Sequence, residues 1–132
     1  MKLYRNENVF DAALRRMRWL FDEFPNVIVC VSGGKDSTVV FNLAMQVARE
    51  KGRLPLRVMF IDQEAEWQAT IDNIKAMMYR PDVLPMWLQM PFKLFNASST
   101  QKHWLQCWDA NERDRWVHPQ DPISIKENVY GE

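Results

Sequence analysis

The chain reads as an α/β domain built on a parallel sheet, and three features of its sequence predict this. Two apolar, β-rich runs, residues 27–31 and Leu56–Ile61, flank a stretch whose apolar residues recur at helical spacing. Two glycines, Gly33 and Gly34, stand at the first junction, and Gly52 followed by Pro55 marks the second. A crossover of this length is too long for a hairpin and fits a right-handed βαβ unit with parallel strands. At 132 residues, 47% hydrophobic and 26% charged, the chain has room for one such domain around one core.

The elements follow in order. Asn6 or Asn8 is placed to cap a first helix in which Val9/Phe10, Ala13/Leu14, Met17, Leu20/Phe21 and Phe24 recur every three to four residues, an apolar stripe facing a core. Pro25 and Asn26 end it, and Arg15, Arg16 and Arg18 lie off the stripe as a solvated face. Residues 27–31 make the first strand, with Cys30 expected as a small core residue. A second helix runs from Lys35 or Asp36 to about Lys51 on the apolar residues Val39, Val40, Leu43, Ala44, Val47 and Ala48, and Gly52 supplies the left-handed position past its end. The second strand, Leu56–Ile61, ends at Asp62. Trp67, Ile71, Ile74 and Met78 give a third helical stripe, closed by Arg80 and Pro81. A short third strand is expected within residues 83–90, bounded by Pro85 and Pro91.

After Phe92 the character changes. Residues 96–100 are loop-like, Trp104, Trp108 and Trp116 stand among polar residues, and Pro119 and Pro122 break structure. The division expected is therefore a core of residues 1–92 and an irregular Trp-rich extension, residues 93–132, packed on the same domain. Trp19, Trp67 and Trp87 lie on or beside apolar stripes and are expected in the core. Three parallel strands are few for an open α/β sheet. Either the chain is part of a longer protein, or an edge is covered by the Trp-rich segment or by another chain.

Several classes are disfavoured. No apolar run approaches the roughly 20 residues of a membrane span, and the opening Met-Lys-Leu-Tyr-Arg-Asn lacks a signal-peptide core, so a cytoplasmic protein is expected. Lys+Arg and Asp+Glu are equal at 17, which gives no overall field to draw in nucleic acid, although a local patch is left open. Cys30 and Cys107 make no CxxC and no zinc spacing, and His103 and His118 lack a third ligand at suitable spacing. Cys107, between Trp104 and Trp108, is expected to be an inert thiol.

The first junction carries the chemistry. A glycine loop opening a helix leaves backbone N–H groups without internal partners, and with the helix dipole these seat an anion. Gly33 and Gly34 bring no Cβ between backbone and ligand, Lys35 adds a cation, and Ser32 and Ser37 add hydroxyls. Ligands of parallel sheets sit at the carboxyl ends of the strands, so the acidic segment from Asp62 to Glu66 is an expected neighbour of the loop. Asp36 and Asp62 are candidate Mg²⁺ ligands beside a polyphosphate, whereas Glu64 and Glu66 read equally well as acids ahead of a helix N-terminus. The Walker spacing fails, because Asp36 follows Lys35 where Ser or Thr is needed and Val29 replaces the first glycine.

Ser32-Gly33-Gly34-Lys35-Asp36-Ser37, between a strand and a helix, resembles the PP-loop signature of the N-type ATP pyrophosphatases and the PAPS reductase family. The resemblance spans roughly residues 25–92. It implies an adenine nucleotide alpha hydrolase-like, Rossmann-like fold, three-layer α/β/α with a parallel sheet. It also implies that ATP or PAPS binds with Mg²⁺ and is cleaved at the α-phosphate, releasing pyrophosphate and activating an acceptor. Carried over residue by residue, Ser32, Gly33, Gly34, Lys35, Asp36 and Ser37 form the loop, with Lys35 and Asp36 catalytic. Phe60 and Asp62 join the nucleotide site, partly through backbone, and Asp36 and Asp62 are the metal ligands. The chain departs from the reductases in one respect: residues 124–132 hold no cysteine, so a thiol-dependent reduction lacks its nucleophile. The whole chain also resembles PAPS reductase-like proteins of phages and mobile elements. The alternative reading is a non-catalytic nucleotide-binding module, a homo-oligomer or partner subunit joined through the Trp-rich segment, in a phage or nucleic-acid sulfur-modification system.

Overall fold

The computed structural model describes residues 6–128. Most of the opening segment and the end of the cysteine-free tail lie outside these residues. The order is α1 (Val9–Glu23), β1 (Ile28–Cys30), α2 (Lys35–Glu50), β2 (Leu56–Ile61), α3 (Gln68–Met78), β3 (Val83–Leu88), β4 (Phe92–Phe95) and β5 (Trp104–Cys107), then a 3₁₀ turn at Ala110–Arg115. Strands β1, β2 and β3 form a parallel sheet in that order, with Val29 opposite Val58 and Val58 opposite Pro85. Asn8 caps α1, its side chain accepting the Asp11 N–H at 2.8 Å. The α/β class, the parallel sheet and the β2 boundaries are as the sequence predicts.

The sheet has one buried face. Val29, Val31, Leu56, Val58, Phe60, Val83 and Trp87 point into a core shared with Phe41, Ala44, Met45, Val47 and Ala48 of α2 and with Ile71, Ile74, Met77 and Met78 of α3. Right-handed crossovers in the order β1-β2-β3 place both crossover helices on the same side. Helix α1 packs along α2, joined by Arg18 to Glu50 at 2.9 Å and Lys51 to Asp22 at 2.6 Å. The opposite face, with Ile28, Cys30, Ile61 and Leu84 exposed and Met59, Met86 and Leu88 half-buried, has no helix on it among the described residues. The second helical layer implied by the resemblance is therefore not supplied by them.

That single-sided burial corrects several expectations. Cys30 alternates with buried Val29 and is exposed. Only Leu14 and Phe21 of α1 are buried; Val9, Phe10, Trp19 and Phe24 are exposed, because α1 meets one neighbour rather than a full core. Val39 and Val40 also face outward, since Phe41 and Met45, at helical spacing with Ala44 and Ala48, set the inner face of α2. Trp67 precedes α3 as its N-cap and is 83% exposed, whereas Trp87 is fully buried.

Strand β3 passes through Pro85 rather than starting after it. Leu56 and Asp62 donate to the Asp82 and Leu88 carbonyls at 3.0 Å each, a phase that turns the Pro85 nitrogen to the outer side, where no ladder bond is lost. The extension then covers this edge. Ile125 donates to Trp87 O at 2.7 Å and accepts from the Gln89 N–H at 2.9 Å, a parallel bridge beside β3. The extension is also more regular than expected: β4 and β5 pair antiparallel around the 96–103 loop, and Phe95 meets Trp104 edge to face at 5.7 Å. Among the described residues no helix is long and apolar enough to cross a membrane.

Candidate functional site

The loop between β1 and α2 is held in shape by its own side chains and by α3. Gly33 has φ +74°, and its carbonyl accepts from Asn73 Nδ2 at 2.7 Å. Asn73 Nδ2 also reaches Thr38 Oγ1 at 3.1 Å, and Thr38 donates to Gly34 O at 2.8 Å. Ser37 Oγ donates to Gly34 O at 3.0 Å and accepts from the Ser32 N–H at 3.2 Å, with Ser32 Oγ also at 3.2 Å. The two serine hydroxyls thus close the loop rather than pointing freely outward. Gly34 is the N-cap and has no side chain to offer, and the first helical N–H paired inside the chain is that of Thr38, to Gly34 O at 3.0 Å. The preceding amides of the first turn are left for an outside acceptor. The side chains of Lys35 and Asp36 at this mouth are exposed.

A Cβ on Gly33 would stand 2.6 Å from Thr70 Cγ2 and 3.2 Å from Thr70 O, in a backbone conformation that already disfavours side chains. Gly33→Ala is therefore expected to cost about 2–4 kcal/mol and to shift the loop off α3. Gly34→Ala, whose Cβ would meet only Ser32 Oγ at 3.7 Å, should stay within about 1 kcal/mol of wild type. Urea unfolding of the two variants side by side measures the difference.

A cleft continues from the loop across the carboxyl ends of β1 and β2. Cys30, Val31 and Ser32 line one side, and Met59 to Ile61, Gln63 and Glu66 the other. The loop and the acidic segment are neighbours, as expected. Phe60 turns its ring into the core, edge to face with Trp87 at 6.0 Å, so only its backbone serves the cleft. Glu66 is half-buried; burial first, and then the Asp62 carboxylate, push its pKa up.

Asp62 is fully buried and both its oxygens are engaged. Oδ2 accepts from Trp87 Nε1 at 2.9 Å and Gln89 Nε2 at 2.8 Å; Oδ1 accepts from the Glu64 N–H at 2.9 Å and faces His118 Nε2 at 3.4 Å. Burial raises its pKa, but the donors His118, Trp87, Glu64 N–H and Gln89 together outweigh burial and hold the carboxyl below its ordinary range. His118 is pushed up, first by Asp62 and against its own burial, and its Nδ1 stands 3.1 Å from Pro119 O. Nε2 is buried and faces Asp62 Oδ1 without hydrogen-bond geometry, so the contact is electrostatic. Asp62 thus holds three hydrogen-bond donors and faces His118, and among the described residues no group of three or more His, Cys, Asp or Glu could hold a metal ion. The structure separates the two expected metal ligands: Asp36 is exposed at the helix start, and Asp62 is buried as a structural hub.

The extension closes on that hub. Trp108 Nε1 donates to Asp62 O at 2.7 Å and its backbone N–H donates to Glu64 Oε2 at 2.7 Å. Glu64 and Trp108 both have positive φ, +66° and +55°, a conformation that costs a non-glycine residue about 1 kcal/mol or more. The Trp108 ring sits edge to face with Trp116 at 5.1 Å and with His118 at 5.2 Å, burial that offsets the strain. Cys107 is buried beside it, its thiol pKa raised by burial, then by Glu64 and Asp62, which agrees with an inert cysteine.

His118, Gln89, Asn73 and Trp108 are the site residues that sequence reasoning missed. Asn73 carried little signal, standing beside Asp72 between Ile71 and Ile74, off the apolar stripe. His118 carried none, being 56 positions from the carboxylate it faces.

Residues 26–115 match the phosphoadenosine phosphosulfate reductase domain family, an interval that holds the loop, the cleft and Trp108 and stops short of His118. The uncharacterized protein YbdN of Escherichia coli K12 is 34% identical over 123 residues, covering 89% of this chain and 29% of that protein. The chain thus spans less than a third of the length of this curated relative. No solved structure matches.

Proposed function

Because the chain belongs to the phosphoadenosine phosphosulfate reductase domain family, we propose that it binds an adenine nucleotide with the phosphates on the Ser32–Ser37 loop and cleaves it at the α-phosphate, releasing pyrophosphate to activate an acceptor. The observation that supports this best is the loop itself, with first-turn amides left unclaimed while every hydroxyl around them is spent on fixing its shape. Amides already in place meet the charge that grows on a departing pyrophosphate without reorganisation, and Lys35 adds its cation at the same mouth. Asp36, exposed at the loop's mouth, is the carboxylate placed to meet a Mg²⁺ carried by the nucleotide, whereas Asp62 holds Trp87, Gln89 and the Glu64 N–H. Inert Cys107 supports phosphoryl chemistry over a thiol-dependent reduction. Incubation with ATP, with products resolved by mass spectrometry, tests the reading: AMP or an adenylylated acceptor with pyrophosphate is expected, and ADP with phosphate alone would contradict it.

A second reading, a nucleotide-binding module that works only in an assembly, is favoured by the part of the uncovered apolar sheet face that lies outside the cleft, at Ile28 and Leu84. On this reading the chain self-associates through that face rather than through the Trp-rich extension, whose Trp108 is turned inward. Light scattering would then show a dimer, and calorimetry would show nucleotide binding without product.

A further inference from the structure

The cleft beyond the loop has charge of only one sign. Ser32 belongs to both loop and cleft, so the cleft adjoins the loop and is open to the nucleoside of a nucleotide whose phosphates lie there. The floor offered by Met59 and Ile61 is apolar and suits a base. None of the eight lining residues is Lys or Arg, and the one carboxylic acid among them is Glu66. Behind Glu66, Asp62 and His118 face one another at 3.4 Å and act on it with opposite signs, so the charge presented to the cleft itself is that of Glu66.

We infer that Glu66 accepts hydrogen bonds from the ribose hydroxyls and turns away a ribose carrying a phosphate, so that the site selects an adenine nucleotide with a free 3′-hydroxyl. A carboxylate is an acceptor only and matches a hydroxyl donor, whereas a ribose phosphate needs an arginine or lysine in its place. A phosphate within about 6 Å of a half-buried carboxylate meets a repulsion large enough to set affinity by tenfold or more. The selection rests on the nucleotide site proposed above and names the ligand class within it: the chain keeps the loop of its family, while none of the described residues lining the cleft is a cation that could meet the 3′-phosphate that the family's name describes.

The test is a calorimetric comparison of adenosine 5′-phosphosulfate with 3′-phosphoadenosine 5′-phosphosulfate, two ligands that differ only at the 3′ position. Wild type is expected to bind the first at least about tenfold more tightly. Glu66→Gln should bring the ratio towards one, and Glu66→Lys should reverse it. Equal or tighter binding of the 3′-phosphorylated ligand by wild type would overturn the inference and leave the nucleotide site standing, as would an unchanged ratio in a folded Glu66→Gln. If neither ligand nor ATP binds wild type, the nucleotide site itself falls, and the selection with it.

Discussion

Lys35→Ala is expected to lower nucleotide turnover about a hundredfold or more, in line with the loss of one preorganised donor from a site of developing charge. Lys35 opens α2 and is exposed at the mouth where the unclaimed amides lie, so its ammonium adds to them without sharing their role in the fold. The thermal melt of Lys35→Ala should therefore overlay that of wild type. Lys35→Arg keeps the charge but not the point-like ammonium, and should recover binding more fully than rate. Pyrophosphate release followed alongside nucleotide affinity separates the two effects. A Lys35→Ala protein with wild-type turnover would remove the loop from the chemistry.

Asp62→Ala is expected to destabilise the fold by about 3–5 kcal/mol, because it leaves the buried Trp87, Gln89 and Glu64 donors without their acceptor and His118 without the carboxylate it faces. The same hub makes stability depend on pH from both sides. The Asp62 pKa is lowered in the folded protein, so its contribution is present above the ordinary carboxyl value and is lost as pH falls through the folded value. The His118 pKa is raised, so its contribution is full below the ordinary imidazole value and is lost as pH rises through the folded value. A stability plateau between the ordinary Asp and His values is expected from melts across pH, with the alkaline shoulder absent in His118→Gln. Mg²⁺ added without nucleotide should leave the melt unchanged, whereas a metal held by Asp62 would raise it.

Much of this was legible in sequence, for reasons that also explain what was not. Pro55 and Asp62 bracket a run that is apolar except for Arg57, and β2 occupies that run to the residue. The six-residue loop falls where a strand hands over to a helix, between β1 and α2, and its first residue, Ser32, lines the cleft. Periodicity shows which residues share a face but not whether anything covers it. Cys30, Trp19 and Trp67 were assigned to a core for that reason, in a fold that buries one side of its sheet. The partners of Asp62 were not legible because they are separated in sequence: Trp87 and Gln89 come from β3 and its end, and His118 from beyond the family's matched interval. A strand-end acid looks the same in sequence whether it faces a cation or a ring of donors.

The central claim is that the first-turn amides of α2 are the seat of the nucleotide's phosphates. Backbone amide resonances followed by two-dimensional proton–nitrogen spectra during an ATP titration test it most directly. The account predicts saturable shifts concentrated at Gly33, Gly34, Lys35, Asp36 and Ser37. Unmoved amides there, with shifts elsewhere or none at all, would contradict it.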